Sequence, residues 1–163
     1  MQVLKRLADQ LRTLYHTRET LTHFSNLKYK FMTLIFHLFE GAPAPVAPYS
    51  HAVEAGGFVF VTGQLATDPN DDSLPLPEGI EAQTAKVMDN LQRVLNGLDL
   101  SLAQVVTVRI FLTDFERDYA AMNTLYASYF AINKRPARTT VGVTHLARGG
   151  IIEIDMVAVR AVS

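Results

Sequence analysis

Val105-Val-Thr-Val-Arg-Ile-Phe-Leu-Thr-Asp114 is the stretch on which the fold turns. Its β-branched residues alternate, Val106, Val108, Ile110 and Leu112 pointing one way and Thr107, Arg109 and Phe111 the other, which is a strand with one buried face. Asp114 then offers a carboxylate N-cap to a following helix. Phe115, Tyr119, Met122, Leu125, Tyr126 and Tyr129 recur along that helix as a broad aromatic stripe, which reads as core-facing rather than as a ligand box. Upstream, Ile80, Thr84, Val87, Met88, Leu91, Val94, Leu95 and Leu98 mark one face of another helix running from residue 78, with Asn96-Gly97 as its stop. Before it, residues 51–54 and 58–64 read as strands joined through Ala55-Gly56-Gly57 in a hairpin turn, and residues 68–77 are a polar loop dense in turn formers. Downstream, residues 138–144 and 151–160 read as two more strands around a turn at 146–150, with Arg148-Gly149-Gly150 as a hairpin turn rather than an RNA-binding element. The order ββαβαββ predicts an α+β fold, a mixed sheet with two helices on one face. Two helices leave the other face uncovered, and there Phe111, Val157 and Val159 stand among polar groups. Such a half-apolar surface calls for a partner, and self-association is the economical one.

The 163 residues, 48% of them hydrophobic, fit one globular domain with an appendage. No apolar run approaches the ~18–20 residues that cross a bilayer. Cysteine is absent, which excludes disulfides, thiolate metal sites and a cysteine nucleophile, and fits a reducing, cytoplasmic setting. The net charge of −1 gives no general reason to expect nucleic acid as a partner. Charge is uneven: residues 1–31 hold six basic residues against Asp9 and Glu19, a balance of +4 that leaves −5 for the rest. A boundary is therefore expected near Met32, giving a basic extension over 1–31, a lead-in with a Pro/Ala linker over 32–47, and a domain over 48–163. Within the extension Leu4, Leu7, Leu11 and Leu14 predict an amphipathic helix over 2–16. It reads as a mitochondrial-type targeting segment, as a membrane-surface or partner helix, or as an extension upstream of a true start at Met32; the last is preferred because a complete domain follows. His16, His23, His37, His51 and His145 show no HExxH spacing, so no metal site is expected. The absence of GxSxG, P-loop and GxGxxG patterns removes support for a serine hydrolase, an NTPase or a Rossmann dehydrogenase.

Chemistry concentrates near the C-terminus. Lys134-Arg-Pro-Ala-Arg138-Thr-Thr-Val141 and Ile151-Ile-Glu153-Ile-Asp-Met156 set a guanidinium and a carboxylate on what read as neighbouring β segments. An Arg grips a carboxylate through two parallel hydrogen bonds, which Lys cannot do, and a carboxylate on a rigid strand can orient a water. Arg138 and Glu153 are therefore candidates for water attack on a small acid. They could equally be a structural ion pair between strands. Asp155 shares a face with Glu153, and Asp155 with Arg109 is a second candidate structural pair.

Other segments extend the pattern: Pro48-Tyr-Ser50, Phe58-Val-Phe-Val-Thr-Gly-Gln64, Thr113-Asp114, Asn123-x-x-Tyr126-x-x-Tyr129-Phe130, Pro136-Ala-Arg-Thr139 and Ile152-Glu-Ile-Asp155. In this order, from about Ala44 to Ala161, the chain resembles the RidA/YjgF (L-PSP) family of imine deaminases. The resemblance implies a chorismate-mutase-like fold and a homotrimer with sites in the clefts between subunits. It implies cofactor-free hydrolysis of short enamine/imine intermediates such as 2-aminoacrylate (2-iminopropanoate) and 2-iminobutanoate to 2-oxo acids and ammonia. By the same resemblance Arg138 pairs with the substrate carboxylate, helped by backbone groups of Gly63 and Thr140. Glu153 holds the attacking water, and Tyr49 and Asn123 line the cleft. Ala47, His51 and Gly142 depart from the family's usual residues and are expected to reshape the pocket rim.

Two other functions compete. One is a non-catalytic trimeric module that binds 2-oxo acids; the other is a ribonuclease, which the acidic domain and the lack of a basic aromatic groove disfavour. N-terminal sequencing of the protein isolated from its own cells checks the preferred start, with Met32 or Thr33 expected as the first residue.

Overall fold

The computed structural model describes residues 33–160; the helix expected over 2–16 lies outside the described residues. Six strands form one sheet: β1 (Ile35–His37), β2 (Ala52–Ala55), β3 (Phe58–Gln64), β4 (Val105–Leu112), β5 (Ala137–Gly142) and β6 (Ile152–Val159). Two helices, α1 (Ile80–Gly97) and α2 (Phe115–Ala127), follow β3 and β4. The order across the sheet is β1-β2-β3-β6-β4-β5. β6 pairs antiparallel with both β3 and β4, while β5 joins β4 in parallel. The ββαβαββ order and the mixed α+β sheet are as the sequence predicts. β1 is an addition, because no strand was expected in the lead-in; Ile35-Phe36-His37 pairs with Glu54-Val53-Ala52 of β2.

Local chemistry explains most elements. Gly56 and Gly57 adopt φ of 57° and 85°, the left-handed pair a two-residue hairpin demands between Ala55 and Phe58. Asp114 caps α2, its carboxylate accepting from the Arg117 N–H at 3.2 Å. On α1 the predicted stripe Ile80, Thr84, Val87, Met88, Leu91, Val94 and Leu95 is buried. It packs against the inner face of the sheet, made of Val59, Val61, Val108, Ile110, Leu112, Ile152, Ile154, Met156 and Ala158. Each large side chain fully removed from water there contributes about 1.5–3 kcal/mol.

Four expectations are corrected. Val106 is exposed rather than core-facing, because the β4–β6 register shifts between Val105 and Thr107 and a bulge turns Val106 out. Asn96-Gly97 does not stop α1, which runs through Gly97; the left-handed position is Asp99, with φ of 56°. Gly97 has another reason to lack a side chain, since a Cβ would come within 2.8 Å of the Phe39 ring. The segment around Arg148-Gly149-Gly150 is no hairpin, because β5 and β6 are separated by β4. His51, expected at the pocket rim, is 2% exposed. Its Nδ1 accepts from the Phe39 N–H at 2.9 Å, and its Nε2 donates to the Pro43 carbonyl at 2.8 Å.

The outer sheet face, which no helix among the described residues covers, carries Phe58 and Phe60, each 49% exposed, and Val106, with half-buried Phe111, Val157 and Val159. Among the described residues, no helix is long and apolar enough to cross a membrane.

His51 thus clasps the lead-in to the sheet through two main-chain groups that have no other partner once its ring is removed. His51→Ala is expected to lower the free energy of unfolding by about 2–3 kcal/mol, read by denaturant melts at neutral pH.

Candidate functional site

The predicted site residues fall into two groups. Arg138 is level with Val108 of β4, a residue of the inner face. Its guanidinium carbon lies 4.9 Å from the centre of the Tyr126 ring, and its Nη2 donates to the Tyr119 hydroxyl at 3.4 Å. Among the described residues no carboxylate pairs with Arg138, so its remaining N–H groups are available to an anion. Thr140, two residues along β5, shares that face, and its hydroxyl is buried without a hydrogen-bond partner. Asn123 sits on α2 one turn from both Tyr119 and Tyr126, so all three lie on one flank of the helix. Burial pushes the Tyr126 phenol up to about 12, against the opposing pull of Arg138 and Arg135, and it stays a neutral hydroxyl at physiological pH.

The second group lies on the outer face. Glu153 of β6 is level with Phe111, and its carboxylate lies over Gly63 of β3. A Cβ built at Gly63 would come 2.9 Å from the Glu153 carboxyl carbon and closer still to one of its oxygens. The β3–β6 register shifts between Val61 and Gln64, a bulge that lets the backbone pass beneath the carboxylate. The same end of β3 gathers the Pro48–Ser50 segment: the Thr62 hydroxyl donates to the Ser50 carbonyl at 2.7 Å, and the Thr62 N–H to the His51 carbonyl at 3.0 Å. Tyr49 is 37% exposed there, its hydroxyl oxygen accepting from the Val46 N–H at 3.1 Å and leaving its own proton free to donate.

Glu153 has no ion pair or side-chain hydrogen bond among the described residues. Burial raises its pKa above the ordinary carboxylate range, and the charge of Asp155 raises it further. A half-buried carboxylate of raised pKa suits proton transfer to and from water. Asp155, by contrast, is engaged: Arg109, directly opposite it in register, donates from Nη2 at 2.6 Å and from Nε at 3.0 Å. That is the structural pair expected from the sequence.

The expectation that Arg138 and Glu153 stand on neighbouring strands is corrected, because β4 lies between β5 and β6. Across those strands Arg138 is level with Met156, and Glu153 with Val141. An offset of three residues is odd, so the two side chains leave the sheet on opposite faces. No intrachain ion pair joins them. One chain therefore cannot bring the Arg138 guanidinium and the Glu153 carboxylate together. Tyr126 is buried in the core and Tyr119 packs against it, as the sequence predicts, and both also touch the Arg138 guanidinium, which the sequence reading did not foresee. Their signal was in the helix period, since Tyr119, Asn123 and Tyr126 share one flank. Among the described residues no cluster of three His, Asp or Glu side chains could hold a metal.

Comparison with known proteins supplies the context. The family model described as Endoribonuclease L-PSP matches residues 39–160. A RutC family protein of Pyrococcus horikoshii is 40% identical over 119 residues, covering 73% of this chain and 92% of its own. The crystal structure of RidA from an Antarctic Psychrobacter superposes with a TM-score of 0.71 at 34% identity, covering 77% of this chain and 98% of that one. E. coli TdcF with bound serine superposes with a TM-score of 0.71 at 26% identity, covering 78% and 99%.

Because the folded state raises the Glu153 pKa, it binds the proton more tightly than the unfolded chain does. The protonated folded form is favoured at low pH, and that advantage is lost as pH rises through the unfolded and then the folded value. Glu153→Gln removes the penalty of the buried charge. We expect its thermal midpoint to exceed that of the native protein at pH 7 and to match it at about pH 3, below the ordinary Glu range, by scanning calorimetry.

Proposed function

This chain belongs to the RidA/YjgF (L-PSP) family, and from that membership and its two half-sites we propose that it hydrolyses short 2-imino acids to 2-oxo acids and ammonia. The substrates would be 2-iminopropanoate and 2-iminobutanoate with their enamine tautomers. The observation that carries the reading is Arg138: a guanidinium held by Tyr119 and Tyr126, with no carboxylate of the described chain to neutralise it.

The chemistry asks little of the protein. A protonated imine carbon is already electrophilic, so the requirements are to place substrate and water and to move one proton. Arg138 takes the substrate carboxylate in its fork, with backbone groups of Thr140 and Gly63 and the side chains of Tyr49 and Asn123 completing the polar contacts. Glu153 accepts a proton from water as the new C–O bond forms at the imine carbon. It returns that proton to nitrogen, the C–N bond breaks as the C=O bond forms, and the hydroxyl proton passes to the departing ammonia, leaving the 2-oxo acid and ammonium. Serine bound to TdcF has the carboxylate and short side chain such a site would take.

Opposite faces of one sheet cannot form one pocket, so the proposed site needs two copies of the chain. A closed ring of three would set the β5–α2 flank of one protomer against the outer face of the next, and would cover Phe58, Phe60 and Val106. Binding of a 2-oxo acid without turnover would identify a metabolite-binding module instead.

The test couples a serine or threonine dehydratase to this protein and follows 2-oxo acid formation. Arg138→Ala is expected to lower kcat/KM by about 10²-fold or more, two charge-assisted hydrogen bonds being lost. Arg138→Lys should recover little, because an ammonium cannot fork. Mixing inactive Arg138→Ala and Glu153→Gln chains under subunit exchange should restore up to about a quarter of native activity, since one junction in four then holds both intact residues. Native turnover in both Arg138 variants would refute the assignment.

A further inference from the structure

Glu153 does not stand alone on the outer face. Asp155 follows it by two residues on β6 and leaves the sheet on the same side, so two acidic side chains spring from backbone positions about 7 Å apart along the strand. Left uncompensated, that neighbour would hold Glu153 in its protonated form over a wider pH range. A protonated Glu153 cannot accept a proton from water.

Arg109 answers that charge. It lies opposite Asp155 in the β4–β6 register and engages both carboxylate oxygens, through Nη2 at 2.6 Å and Nε at 3.0 Å. It does not engage Glu153. Phe111 is the residue level with Glu153, and the Arg109 guanidinium lies 5.9 Å from the centre of the Phe111 ring, so the aromatic side chain stands beside the fork and toward the Glu153 level. The groups facing Glu153 are then few. Its own strand supplies Asp155, β4 supplies Phe111 with Arg109 beyond it, and β3 supplies Thr62 and Gly63, neither titratable. The Arg109 side chain is 65% exposed, so solvent weakens its influence, but Asp155 is 16% exposed and the bond to it is two-pronged.

We propose that Arg109 is a positioning residue for the hydrolysis, held by Asp155 where its charge offsets part of that carboxylate's, so that Glu153 gives up its proton at a lower pH than it would beside a bare Asp155. The proposal rests on the role given to Glu153 above, and assigns its tuning to a pair that touches neither substrate nor water.

The decisive measurement is the titration midpoint of Glu153 itself, from carboxyl-carbon NMR of protein labelled at glutamate, with the signal identified by its loss in Glu153→Gln. Arg109→Gln is expected to raise the midpoint by about one unit at low salt, with the shift shrinking as salt is added. Asp155→Asn should lower it. In the Asp155→Asn background the further change Arg109→Gln should move it less, because the exposed guanidinium has lost the carboxylate that holds it beside β6. Arg109→Lys, which keeps the charge, should stay near the native value. A midpoint that moves by less than about 0.2 unit in Arg109→Gln, or that moves equally with and without Asp155, would overturn the proposal. Turnover reports separately. If the carboxyl shifts without a matching move in the acid limb of kcat/KM, the tuning stands and Glu153 is removed from the chemistry.

Discussion

β6 is hydrogen-bonded along both edges, to β3 on one side and β4 on the other, and the architecture depends on that double pairing. The last strand of the chain closes the sheet by entering between two strands already joined through α1. Every second residue it brings, Ile152, Ile154, Met156 and Ala158, enters the core under the helices, while the residues between them, Glu153 and Asp155 included, are committed to the opposite face. Until β6 is in place, β3 and β4 have no hydrogen-bonded link to each other. Core residues and outer-face carboxylates are thus installed by one strand, with no freedom to slip its register by a single residue without exchanging them.

That commitment also sets Glu153 on the face opposite Arg138. Arg138 rides on an edge strand whose inner face meets α2, in a setting of phenols and a buried hydroxyl. Glu153 rides on the central strand facing outward, over a bulge and beside a compensated acid. In the proposed site the guanidinium needs a low-dielectric wall to strengthen its grip on an anion, and the carboxylate needs partial exclusion from water to bind a proton tightly enough to take one from water. The two environments are most easily provided by different surfaces. A site divided between copies of the chain, as proposed, would let each half be built where its electrostatics are best served.

Much of this was legible in the sequence. The two-residue alternation of β4, the stripe of α1, the Asp114 cap and the paired glycines of the first hairpin are local signals, and the local structure obeys them. The Arg109–Asp155 pair was accessible too, because facing on each strand follows from the strand period. What failed was nonlocal. β1 is three residues long and owes its existence to pairing with β2, which its own composition does not announce. The bulge that turns Val106 outward is a property of the β4–β6 ladder. The opposite facing of Arg138 and Glu153 depends on β4 coming between their strands, and no spacing in the chain carries that information. His51 was misjudged because its partners are main-chain atoms, invisible to a reading of side-chain types.

Gly63 has a consequence for how this protein can evolve. The volume that a methyl group would occupy there is already taken by the carboxylate of a residue far along the chain. Enlarging the glycine evicts the acid, and shortening the acid leaves an unfilled notch above the bulge. The two positions form a lock and its bolt, and drift at one is constrained by what stands at the other.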